Sequence, residues 1–527
     1  MPIDSGELCH GFVVISTTFS ARYRPLRGAL GRGPGRTFLS APPPPWYWAR
    51  HMRLGRTARF FLLLALVAAA GATTAQAQPG RFEPRPPAEH ASPASPDEPS
   101  DASSPGEALT IYLMTMGPGD HPFYKFGHNA LWVHDEVTGK DRVYNYGTFS
   151  FGSAALIPKF FLGRFLYSLS RRSLLGTIRD YREENRSIVA QKLNLTPAER
   201  AALRDFLTWN FRRENRHYRY DYYRDNCSTR VRDALDQVIG GRLHQAATGP
   251  GSMSYREHTL RLTSDLLLEY LSLLVVLGPL VDSPISRWEE AFLPEKLQEL
   301  VQDATVPGPK GDEPLVLEQI VLLEADRLPA RKEPPRWIGW FLLAGLGAGG
   351  SLAALGWAGR TRRGLRIAAG MLLGAIGLVA GFLGTSFCLL WALTDHQVAY
   401  RNENILQFVP WLFALPVLCV GVARGRRPST HRALVLCAAA AAVSVLGLVL
   451  KILPWLHQSN GLVIAFALPL WSGAAVGMRW LERSSRDSTS APALKPQAQA
   501  KAAIAPAAAT PDDATEPRPP KPPAEST

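Results

Sequence analysis

The chain reads as an α+β extracytoplasmic domain followed by an all-α membrane bundle of about five helices. Three observations predict this. A secretory-type leader lies at residues 52–77, strand-like alternation and capped helices share residues 108–305, and five apolar stretches occupy the region 337–480.

The leader carries Arg53, Arg56 and Arg59, then FFLLLALVAAAGA, then Ala75-Gln76-Ala77. A basic head, a short apolar core and a small-residue end are the layout of a cleaved signal peptide, with the cut expected after Ala77. Residues 1–51, rich in Arg, Gly and Pro, read as a gene-model extension ahead of Met52. Residues 78–107, rich in Pro, Ser, Ala and Glu, read as a disordered tether, and 481–527 as a disordered cytoplasmic tail.

Within 108–305, LTIYLMTMG reads as a strand. HNALWVHD and DRVYNYGTF flank VTGK as a hairpin, and RSIVAQKLNL reads as a further strand. Residues 153–175 look helical. Thr196-Pro197-Ala198-Glu199 is a capping box with Pro at the first helical position, so a helix is expected over about 197–212. Tyr218, Tyr220 and Tyr222 alternate as a strand does. Asn226 opens a second helix that stops at Gly240-Gly241. Residues 306–336 read as a connector to the membrane region.

The expected spans are 337–357, 367–393, 405–423, 433–456 and 461–480. Arg360, Arg362, Arg363 and Arg366 follow the first. Arg424, Arg426, Arg427 and Arg432 follow the third, and Arg479, Arg483 and Arg486 close the fifth. The intervening loops TDHQVAYRNEN and HQSN hold one Arg and no Lys. This alternation predicts a soluble domain outside and a C-terminus inside. The apolar run at 266–281 would invert every loop if it were a span, so it is read as a buried helix interrupted by Glu269. The formal net charge of +13 sits largely in the N-terminal extension and the basic membrane loops. The bilayer is therefore the expected partner of that charge, and nucleic acid is not.

Five cysteines are present, and Cys227 alone falls in the extracytoplasmic domain. A single thiol in an oxidising compartment has no intradomain disulfide partner. It stands at the first turn of a helix, where unpaired backbone N–H groups favour a thiolate and a lowered pKa. His128, at a strand start after Gly127, is the candidate base. A hairpin turning at about 136–140 sets His128 toward Gly147 with Asn145 diagonally beside it, so Asn145 is the candidate orienting group and Asp141 the alternative. The backbone N–H of Cys227 and the side-chain amide of Asn226 form a candidate oxyanion site. A buried Cys acting as a small hydrophobe is the competing reading. His128, His134 and Cys227 lack the close spacing of a zinc site, and neither metal nor cofactor is expected.

At GPGDHPFYKFGHNALWV, VYNYGTFSF, ENRSIVAQKLNLTPAE and YRYDYYRDNCSTRVRD the chain resembles the Lnb N-terminal periplasmic domain family, a domain of unknown function. FLPEKL and HQVAYRNENIL are also similar to family positions. The order of His on a strand before Cys on a helix start resembles circularly permuted papain-like thiol enzymes of the NlpC superfamily. That resemblance implies a papain-like fold with Cys227 as nucleophile, His128 as base and Asn145 as third polar group. It implies a hydrolase or acyltransferase acting on an amide, ester or thioester of an envelope component, whether peptidoglycan, lipid or lipoprotein. A non-catalytic binding or maturation module held by a membrane bundle is the alternative, and transport by the bundle is disfavoured by the lack of intramembrane ionisable pairs.

Overall fold

In the computed structural model, residues 105–148, 162–164 and 166–490 are described, the last six for their backbone only. The leader, nearly all of the tether and the tail beyond residue 490 lie outside them. The strands are β1 (Leu109–Met116), β2 (His128–Asp135), β3 (Lys140–Thr148), β4 (Leu166–Arg172), β5 (Ile188–Leu193), β6 (His217–Arg219), β7 (Thr305–Gly308), β8 (Gly311–Pro314) and β9 (Val316–Leu323). Seven of them form one antiparallel sheet in the order β6-β4-β3-β2-β1-β5-β9, and β7 pairs with β8 as a separate hairpin. The region is α+β with an antiparallel sheet.

Both faces of the sheet are covered, as period-2 alternation on β2 shows. Leu131 and Val133 join one core with Ile111, Tyr144, Tyr146, Cys227 and Val231. Ala130 and Trp132 join the other with Met114, Met116, Val143 and Ile188. The second face is covered by α1 (Leu174–Glu183), whose Leu174, Ile178 and Tyr181 pack on it. The first is covered by α2 (Pro197–Asn210) and α3 (Cys227–Val238), together with the short α4 (Arg242–Ala246).

The capping box at the start of α2 is present in both directions: Thr196 N–H donates to Glu199 at 2.8 Å and Glu199 N–H to Thr196 Oγ1 at 3.3 Å. The expected helix over 153–175 is corrected in its described part. Residues 166–172 are strand β4, paired with β3, and Ser173 caps α1 instead. Residues 153–161 lie outside the described residues. The tyrosine strand is shorter than expected: pairing ends at Arg219, and Asp221 turns the chain by accepting from the N–H of Tyr223 and Arg224. The segment expected as a connector supplies β7, β8 and β9, and β9 extends the sheet beyond β5.

Four short helices follow α4: α5 (Tyr255–Leu262), α6 (Leu267–Val276), α7 (Arg287–Glu290) and α8 (Pro294–Asp303). The run read as a buried helix is α6. It is only ten residues long, too short to cross a bilayer. Tyr270 and Leu274 are fully buried against the membrane helices, while Leu267 and Leu268 are exposed.

Among the described residues, four helices are long and apolar enough to cross a membrane: α9 (Ile338–Ala358), α10 (Arg363–Leu393), then, beyond the short α11 (Leu415–Ala423), α12 (Arg427–Val449) and α13 (Gly461–Ser490). The expected span at 405–423 is instead a bent pair, Gln397–Leu406 and Pro410–Ala423, at 64° to each other. It makes a fifth span only if the pair is one broken crossing. Pro410 removes a backbone donor at the break. The irregular carbonyl of Phe408 lies in a glycine groove of α10, where a Cβ at Gly384 would meet it at 1.9 Å. Helices α9 and α13 also approach closely, a Cβ at Gly356 having no room beside the Gly477 carbonyl.

The two loops expected outside both touch the α+β domain. Asp395 pairs with Arg164 at 2.9 Å, and Gln458 Nε2 donates to the Leu277 carbonyl at 3.0 Å. At the other end of the bundle, Ser484 donates to the Arg360 carbonyl and Gly425 lies against the Arg366 guanidinium.

Candidate functional site

One end of the sheet gathers the residues singled out above. The β-ladder aligns Ile188, Met116 and His128 in one row across β5, β1 and β2. The β2–β3 register pairs Leu131 with Tyr144 and Trp132 with Val143. Asn145, the next residue of β3, pairs with Ser170 of β4. The Asn145 side chain lies within hydrogen-bonding reach of the imidazole. Helix α3 begins against the end of β3: a Cβ at Gly147 would lie 3.6 Å from the Cys227 Cβ. Gly147 has φ +90°, a conformation that favours glycine and brings the end of β3 against the thiol.

The start of α3 is locked from both sides. Asn226 Oδ1 accepts from Ser228 N–H at 2.8 Å and Thr229 N–H at 2.9 Å, while its Nδ2 donates to the Tyr222 and Phe292 carbonyls at 2.9 and 3.0 Å. The amide is fully committed as a helix cap. The oxyanion donor expected of Asn226 is therefore absent, because both of its N–H groups are taken. Ser228 Oγ donates to Asn129 Oδ1 at 2.8 Å, tying β2 to α3. That tie brings the backbone N–H of Asn129 within reach of the Cys227 sulfur, together with the N–H groups of Ser228 and Cys227 itself. Asp141 is also placed elsewhere: its Oδ1 accepts from Trp132 Nε1 at 2.7 Å and binds His134 Nδ1 at 2.9 Å. It does not orient His128.

Electrostatics depart from the expected lowered thiol pKa. Burial raises the Cys227 pKa above its ordinary value, opposed by the N–H groups of Asn129, Ser228 and Cys227 and by the nearby Arg186 charge. The helix start acts as anticipated, but desolvation outweighs it. Burial and the Arg186 charge push His128 down to about 4 against the favourable contact with Asn145. Both shifts leave the groups uncharged at neutral pH, the thiol protonated and the imidazole neutral.

Two further features are absent from the sequence reading. Asn129 and Arg186 stand inside the motifs that the sequence displays, yet only folding places their N–H groups and charge at the thiol. A cleft on the membrane side is lined by Tyr167, Tyr220, Tyr222 and the Asp395–Val398 loop. Tyr167 and Tyr220 stack at 4.1 Å, and Tyr220 Cε2 would contact a Cβ at Gly147 at 3.7 Å, so the cleft is one residue removed from Cys227. Among the described residues no group of three or more His, Cys, Asp or Glu side chains is arranged to hold a metal ion.

An α+β domain is joined here to helices long and apolar enough to anchor it in a membrane. Residues 96–263 match the family model of the Lnb N-terminal periplasmic domain, the family whose motifs the sequence carries. His128, Asn145, Arg186, Asn226 and Cys227 all fall inside the matched segment. No curated protein and no solved structure matches the chain.

Proposed function

We propose that the periplasmic domain is a thiol hydrolase or acyltransferase that acts on an amide, ester or thioester bond of an envelope component, with its C-terminus on the cytoplasmic side. The carrying observation is the row at the sheet end: His128 backed by Asn145, next to Asn129, whose N–H reaches the Cys227 sulfur. In this reading His128 takes the Cys227 proton as sulfur attacks the acyl carbon. The negative charge on the tetrahedral oxygen meets the backbone N–H groups of Cys227 and Asn129. Collapse breaks the bond to the leaving group, which receives the proton from His128. Water or an acceptor nucleophile then releases the acyl group from sulfur. The His-before-Cys order remains similar to permuted papain-like enzymes, and the neutral resting pair suits a base that acts only during attack. In this reading a substrate approaches the thiol past Tyr220, which lines the neighbouring cleft.

One observation favours the second reading, a binding or maturation module. Cys227 is only 8% exposed and its thiol is pushed up by burial, as a core cysteine's would be. Comparing the acyl, peptide and lipid composition of envelopes from cells carrying wild-type, Cys227→Ala or His128→Gln protein separates the two. Catalysis requires the same change in both variants at normal protein level. An unchanged envelope with partner capture intact supports the binding module.

A further inference from the structure

Arg186 is 2% exposed, and its Nη2 has no hydrogen-bond partner among the described residues. Its other two nitrogens are each engaged. Nε donates to the Gly117 carbonyl at 2.9 Å and Nη1 to Glu184 at 3.1 Å. The guanidinium lies over the Tyr124 ring at 4.6 Å and the Tyr181 ring at 4.5 Å. With its planar faces near aromatic rings, the group offers its edge, where Nη2 stands. Arg186 precedes by two residues the Ile188–Met116–His128 row, so it stands at the same end of the sheet as the thiol. Its charge acts on both His128 and Cys227.

A buried cation with an unused donor, held in a fixed plane at the end of the sheet that meets the thiol, is an incomplete anion site. We propose that Nη2 of Arg186 binds an anionic group of the substrate, a carboxylate or phosphate, and thereby sets the acyl carbon beside Cys227. This rests on Cys227 being the nucleophile of the proposed reaction. Glu184 does not fill the role, since its side chain is one-third exposed and engages Nη1 instead. An anion at Nη2 would also offset the positive charge that opposes protonation of His128, so binding and proton transfer would assist one another. Arg186 is in these terms a specificity and positioning residue.

The test compares two alkylating reagents that differ in charge, iodoacetate and iodoacetamide, on the purified full-length protein in detergent. Modification of the Cys227 peptide is followed by mass spectrometry, which separates it from Cys388, Cys419 and Cys437. The expected ratio of iodoacetate to iodoacetamide rates at Cys227 is about tenfold above that of glutathione, as a charge-assisted contact implies. Arg186→Gln should return it to the glutathione ratio and Arg186→Lys should retain part of it. Protection by acetate but not inorganic phosphate assigns the site to carboxylates, and the reverse to phosphates. A wild-type ratio equal to that of glutathione, or one unchanged in Arg186→Gln, overturns the anchor while leaving the nucleophile intact. Failure of both reagents to modify Cys227 overturns both readings. The wild-type ratio decides alone if Arg186→Gln does not fold.

Discussion

The backbone N–H of Asn129 reaches the sulfur of Cys227, so the strand that opens with His128 and the helix that opens with Cys227 meet at the thiol. The contact is held by Ser228 donating to the Asn129 side chain, which is itself fully buried. The arrangement couples the protonation of the imidazole to the stability of the domain as well as to its chemistry.

His128 gives a pH signature. Burial first and Arg186 second lower its pKa from an ordinary 6.5 to about 4. The unfolded chain therefore binds a proton at this side chain between those values while the folded chain does not. The stabilisation is fully present above pH 6.5 and is lost as pH falls toward 4. The loss at His128 should be roughly 1–3 kcal/mol, reduced from the upper figure because the imidazole retains partial exposure. Thermal unfolding of the full-length protein in detergent at pH 7, 5.5 and 4 should show a steeper decline for wild type than for His128→Gln. Parallel curves would remove this assignment.

Gly147 should resist any side chain. At φ +90° an L-residue is strained, and its Cβ would stand 3.6 Å from the Cys227 Cβ and 3.7 Å from Tyr220. Those distances are ordinary contacts, so the cost is in the backbone, about 1–2 kcal/mol. Gly147→Ala should lower the unfolding temperature accordingly and slow iodoacetamide modification of Cys227, because the new methyl narrows the approach from the tyrosine cleft. Faster modification at unchanged stability would contradict this geometry.

Asn226 carries more of the fold than a surface cap does. Replacing it with Ala strips two acceptor bonds from the start of α3 and leaves the Tyr222 and Phe292 carbonyls without their donor. The expected loss is about 2–4 kcal/mol. Asn226→Ser restores a capping oxygen but neither donor bond, so it should fall between wild type and Asn226→Ala in chemical denaturation. Equal stability of the two variants would mean that the cap contributes nothing.

Local rules were legible because they act over a few residues. The Thr196–Glu199 box, the Asn226 cap and the VTGK hairpin each produced the expected element. Long-range partners were not legible. Residues 316–323 carried no sign of their pairing with β5, and nothing near Arg186 in the chain shows that its charge lies at a thiol forty-one positions later. The thiol pKa shows the same limit. The helix start is a local feature that favours the thiolate, whereas the burial that outweighs it depends on packing from several elements. The membrane count differs for a related reason: composition marks an apolar stretch, but the break at Pro410 depends on the glycine groove of α10 receiving an irregular backbone.

The bent pair and the end of α12 hold a polar clamp that apolar segment-finding passes over. Glu403 is buried and pairs with Lys451. Its carboxylate also accepts from Gln458 N–H at 3.0 Å. Gln458 and Asn402 then reach the Val275, Val276 and Leu277 carbonyls at the end of α6. Removing one charge strands the other in a half-buried site, so Glu403→Gln or Lys451→Met alone should cost about 3–5 kcal/mol. The double variant should cost less than the sum of the two by at least about 1 kcal/mol, since the charges are lost together. Thermal inactivation in detergent measures the three costs. Limited proteolysis at the Thr394–Asn404 loop reports whether the α+β domain has loosened from the bundle. Additive costs with no new cleavage would show that the pair does not couple the two regions.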